Sequence, residues 1–102
     1  MHEVDIKSLQ LNPWSLIGDR WMLITAGNKE DDFNTMTAAW GHFGTLFGAR
    51  EGSKNTTICY IRPQRYTKTF MDSHDIYTLS FLPDTKDNKK KLAYLGTKSG
   101  RD

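Results

Sequence analysis

The stretch WMLITAGNKEDDFNTMTAAW, residues 21–40, decides how the rest of the chain can be arranged. Its first part, Trp21 to Gly27, is an apolar run containing β-branched Ile24 and Thr25. A polar cluster through Asp32 closes that run, which is the pattern of a buried strand followed by a turn. The segment from Phe33 to Trp40 then reads as the returning strand of a hairpin. Along it Phe33, Thr35, Thr37 and Ala39 alternate with Asn34, Met36, Ala38 and Trp40, so one face offers hydroxyls and the other Met and Trp. Extended to FNTMTAAWGHFG, residues 33–44, the stretch holds no charged residue at all. Short hydroxyls and small residues there would let backbone approach something flat and uncharged, with Trp40 or Phe43 covering a face. A Thr-rich strand packing its aromatics into the core has the same composition, so the pattern leaves both readings open.

Outward from the hairpin, residues 41–55 contain four glycines and no sustained period, and predict a long loop. TTICYIRP, residues 56–63, predicts a third strand stopped by Pro63, which has no N–H for a ladder. QRYTKTFMDSH, residues 64–74, predicts a short helix with Tyr66 and Phe70 four apart on one face. IYTLSFLP, residues 76–83, predicts a fourth strand with Tyr77, Leu79 and Phe81 on one side. Asp84, with Asp87 three residues later, resembles the N-cap of a final helix through TKDNKKKLAYL that Gly96 ends. The predicted order is β, β, long loop, β, α, β, α.

A chain of 102 residues predicts one domain with a single core. A net charge of +2 is too small to imply nucleic acid or an acidic membrane, so any anion site must be local. The N-terminus has no apolar h-region, and no run approaches the roughly 20 apolar residues of a membrane span; the expected location is cytoplasmic. Cys59 is the only cysteine and reads as a buried strand thiol. His2, His42 and His74 are scattered without metal-ligand spacing, so no metal site is expected. Trp14 and Trp21 are expected in the core, and Lys89 to Lys91 on the wet face of the last helix.

Two further clusters carry chemistry. In RPQRYTK, residues 62–68, Arg65, Thr67 and Lys68 crowd the start of a predicted helix, where cations are unfavourable unless an anion is bound. A solvated basic surface is the alternative. In GTKSGRD, residues 96–102, glycines free the backbone while Lys98, Ser99 and Arg101 offer donors, although the same residues describe an ordinary terminus. Together with the uncharged hairpin strand, these clusters point to one ligand with a planar polar ring and an anionic tail, a description that FMN fits.

The ordered set WMLITAG, FNTMTAAWG, YIRPQRYTK, YTLSF and GTKSGRD resembles the flavin reductase-like, FMN-binding split-barrel family that includes flavoredoxin. The likeness runs from about residue 12 to residue 102. It implies a mainly β fold with short helices, a split β-barrel, forming a homodimer with FMN near the subunit interface. The implied cofactor contacts are Asn34, Thr35, Met36, Thr37, Ala38 and Trp40 along the ring and ribityl chain. Arg62, Arg65, Thr67 and Lys68 would face the phosphate, and Ser99, Gly100 and Arg101 the flavin or its phosphate. No catalytic side chain is implied, because the flavin carries the chemistry.

The expected activity is that of an NAD(P)H-dependent oxidoreductase. The alternatives are an FMN electron carrier reduced by a partner protein, a cofactor-free degenerate dimer, and a small barrel binding single-stranded nucleic acid, the last set aside. Three departures from the family stand out. Ala39 replaces a hydroxyl residue, GAREGSKN at residues 48–55 replaces a shorter connection, and the chain stops at Asp102 where relatives continue. The expectation is a shortened barrel, or one that a second copy completes, since an unpaired edge invites pairing.

Overall fold

The computed structural model describes residues 3–30, 32–46 and 54–97. The predicted hairpin is present as β1, Met22–Asn28, and β2, Asp32–Ala38, antiparallel with Ile24 opposite Met36 and Thr25 opposite Thr35. Gly27 has φ +105°, and a Cβ there would lie 2.3 Å from the Asp32 carbonyl oxygen. The turn therefore depends on a residue without a side chain. Trp21 is not part of β1, because its φ of +68° turns the chain between a π-helical segment, Trp14–Asp19, and the strand.

The predicted long loop is corrected. Residues 41–46 form β3, Gly41–Leu46, which pairs antiparallel with β4, Lys54–Cys59. Glycines at 41 and 44 read as loop signals, yet Gly41 is required by close packing: a Cβ would meet the Ile58 carbonyl oxygen at 2.7 Å. Beyond β4 come α1, Thr67–Ser73, β5, Tyr77–Ser80, and α2, Lys86–Thr97. The last helix is capped by Thr85, not Asp84: the Asn88 N–H donates to Thr85 Oγ1 at 3.1 Å. Gly96 lies inside α2 and does not end it.

The described strands form two antiparallel sheets, one ordered β2-β1-β5 and one of β3 and β4, and these do not close into a barrel. The fold is thus a mixture of small sheets and helices. Its core lies on one face of the larger sheet, around Ile17, Met22, Ile24, Met36 and Ala38, with Met22 and Ile24 fully buried. Tyr77 on β5 ties the two sheets together by donating its hydroxyl to the Thr57 carbonyl oxygen at 3.3 Å. No helix among the described residues is long and apolar enough to cross a membrane.

Three residues expected in other settings anchor or border this frame. Lys89 is not a solvated cation: its Nζ lies 3.5 Å from the Trp21 ring centroid and donates to the Asp19 carbonyl oxygen. Trp14 is 84% exposed, so it is not a core residue. Thr37 is buried against α2, and its hydroxyl donates to the Leu92 carbonyl oxygen at 2.7 Å. We expect Thr37→Val to lower stability by roughly 1 kcal/mol, the net worth of such a bond. Urea denaturation measures it, and an unchanged midpoint would show that the bond contributes nothing.

Cys59 is half-buried at the end of β4. Burial pushes its thiol up from the ordinary value, and a hydrogen bond with Tyr77 offsets part of that. The neutral thiol persists to higher pH than in an unfolded chain, and the thiolate is the reactive form. Disulfide-reagent labelling of the native protein should therefore climb with pH later than labelling of the urea-unfolded protein. Superimposable pH curves would contradict this.

Candidate functional site

β2 is an edge strand, paired only with β1 among the described residues, so backbone N–H and C=O groups along its other edge lie outside the ladder. The segment that follows β4 runs against this edge. Pro63 sits at the second position of a turn closed by the Arg65 N–H donating to the Arg62 carbonyl oxygen at 3.0 Å. Proline presets that position of a turn, and the turn brings its first and fourth residues close together. Local sequence chemistry thus sets two arginines side by side before α1 begins.

Two adjoining clefts result, sharing Met36, Arg62 and Arg65 in their walls. The first, about 180 Å³, is polar, with Asn34, Thr35, Gln64 and Thr67 beside the arginines and the last turn of α2 at its rim. The second, about 190 Å³, is lined on the other side by Ala38, Ala39, Trp40 and Tyr60. Trp40 and Tyr60 are each half exposed, and the Arg62 guanidinium carbon lies 5.9 Å from the Trp40 ring centroid. Cation, aromatic face and open backbone edge therefore meet in one place.

Of the residues singled out in the sequence, Asn34, Thr35, Met36, Arg62, Arg65 and Thr67 line the first cleft. Thr37, Ala38 and Trp40 line the second. Lys68 is not brought in: its Nζ pairs with Asp72 one turn along α1, at 2.6 Å. Ser99, Gly100 and Arg101 lie outside the described residues. Phe43, expected to cover a ligand face, instead packs edge-on against Phe81, with ring centroids 5.9 Å apart, beside the core.

The hydroxyl and amide side chains of β2 are spent on the fold more than on the clefts. Asn34 Nδ2 donates to Thr67 Oγ1 at 2.6 Å, and Thr67 is 1% exposed, so this bond fixes the entrance of α1 to the sheet. The hydroxyls of Thr25 and Thr35 share a hydrogen bond of 2.9 Å across the hairpin. What β2 leaves for a ligand is its backbone edge and the small side chains of Ala38 and Ala39. Sequence reasoning missed Tyr60, Gln64, Tyr66 and Thr97 as lining residues. All four stood inside stretches singled out in the sequence, Tyr60, Gln64 and Tyr66 in YIRPQRYTK and Thr97 in GTKSGRD, but only tertiary packing shows that they line the clefts.

The polar and apolar clefts fit a ligand with one anionic end and one flat end. Each is smaller than the roughly 300 Å³ at which small-molecule sites begin, so such a ligand has to span both. Among the described residues no group of three or more His, Cys, Asp and Glu is placed to hold a metal ion. Comparison with protein families, with curated proteins and with solved structures returns no match.

Proposed function

We propose that this chain binds FMN across the two clefts and acts as an FMN-dependent oxidoreductase that draws on NAD(P)H. The observation that carries the reading is spatial. Residues from two distant segments, Asn34 to Trp40 and Arg62 to Thr67, form the walls of adjoining clefts with a cationic pair at their junction. These are the segments in which the resemblance to flavin reductase-like proteins places the cofactor contacts.

When bound, FMN supplies the redox chemistry, taking reducing equivalents from a donor and passing electrons onward. The work of the chain is binding and orientation. Arg62 and Arg65 would hold the terminal phosphate by charge-assisted hydrogen bonds, and Thr67 is a buried post that fixes the approach of α1. The free edge of β2 would supply backbone N–H groups to the ring, and Trp40 and Tyr60 border the apolar cleft. The cytoplasmic homodimer belongs to the same proposal. Exposed Trp40, Ile58 and Tyr60 and the unclosed sheets are surfaces that a second copy would cover in completing a split barrel.

The experiment is a visible absorption spectrum of the purified protein before and after incubation with FMN and removal of the excess. Retained flavin bands with protein-shifted features are expected, and a protein that never retains FMN overturns the reading. With loaded protein in hand, NADH and NADPH oxidation separates the oxidoreductase from an electron carrier that a partner protein reduces.

A further inference from the structure

Sharing no lining residue with the two clefts, an open groove of about 760 Å³ lies between the N-terminal arm and the meeting of the two sheets. Ile6, Leu9 and Leu11 of the arm form one wall, each about half exposed. Phe43, Leu79 and Phe81 form the floor, where the same side chains pack against the core. Its size falls within the range of sites for small apolar ligands.

Lys7 and Arg20 line the groove, and among the described lining residues there is no Asp or Glu. One terminal nitrogen of Arg20 donates to the Leu82 carbonyl oxygen at 2.8 Å, which fixes the guanidinium at the groove wall. A carboxylate is the acceptor that matches an arginine best. The remaining polar lining consists of neutral Thr and Asn side chains and backbone from the facing ends of β3 and β4.

We propose that this groove is a second binding site, for an aliphatic carboxylate of fatty-acid type. The chain lies along Phe43, Leu79 and Phe81 under the arm, and the carboxylate is held by Arg20 and Lys7. The inference rests on charge complementarity between a carboxylate and the Lys7 and Arg20 side chains that line the groove, and it holds whether or not FMN occupies the clefts.

Calorimetric titration of the full chain with dodecanoate, and separately with dodecanol, tests it, with the oligomeric state followed by light scattering. Dodecanoate is expected to bind one per chain at least about tenfold more tightly than dodecanol, whose apolar tail is the same. Lys7→Glu reverses an exposed charge and should weaken dodecanoate several-fold without changing dodecanol. Arg20→Gln should do the same, with circular dichroism checking that it still folds. Equal binding of acid and alcohol, or an unaffected Lys7→Glu variant, overturns the proposal. So does a chain that binds neither while associating through this face, because the groove would then belong to a second copy.

Discussion

Arg65→Ala should lower the affinity for FMN by about 1.5–3 kcal/mol, the worth of a hydrogen bond to a charged group, or roughly 10- to 150-fold in Kd. Arg65 lies in the wall shared by both clefts, and the turn at Pro63 holds it beside Arg62. The loss should be specific to the phosphate. Riboflavin has the same ring without that group, and its affinity should change little. Fluorescence titration of the wild type and the variant with both flavins makes the comparison. An equal loss for both would mean that Arg65 supports the cleft structurally, and no loss for either would remove it from the site. Arg65→Lys should recover only part of the FMN affinity, since a point charge does not reproduce the guanidinium fork.

The largest effect on stability is expected from Gly27→Ala. A methyl group there would stand 2.3 Å from the Asp32 carbonyl oxygen and 2.7 Å from the Phe33 Cα, both backbone atoms of the facing strand. The φ of +105° is also one that an L residue resists. Strain of about 1–2 kcal/mol from the dihedral adds to about 1–3 kcal/mol from overpacking, so a loss of roughly 2–5 kcal/mol is expected. Chemical denaturation followed by circular dichroism measures it. A loss below about 1 kcal/mol would mean that the hairpin relaxes and that the turn does not set its register. Flavin binding should fall with it, because β2, which carries one wall of both clefts, is held in place by this turn.

Much of the scaffold was legible from local pattern. Alternation along residues 33–40 and the polar break after Gly27 located the hairpin, and β1 and β2 fall within a residue or two of the expected bounds. The third strand was expected to run to Pro63, but β4 ends at Cys59, four residues earlier, and Pro63 instead sits in the turn before α1. The spacing of Tyr66 and Phe70 identified α1, where the two rings meet edge-on at 5.2 Å. The clustering of Asn34, Met36, Arg62 and Arg65 around adjoining clefts also follows from the segments singled out at the start. β3 was lost because its glycines imitate a loop. Gly41 is required by the Ile58 carbonyl oxygen on the facing strand, which no local signal could announce, whereas a Cβ at Gly44 would meet nothing within 4 Å.

By itself, then, the sequence determined which segments extend, which coil and where they turn, because periodicity, proline and glycine act within a few residues of one another. Only the tertiary structure decided what each polar group is for. Thr37 looked like a ligand contact; it lines the second cleft, but its hydroxyl binds the carbonyl of Leu92, 55 residues away. Lys89 looked solvated and instead covers Trp21, and Asn34 holds Thr67 at the entrance of α1. A hydroxyl or an ammonium group carries the same chemistry in a strand whether it meets solvent, a ligand or a helix carbonyl. Its partner is chosen by which distant element the fold packs against it, and that choice rests on burial of Met22, Ile24 and their neighbours.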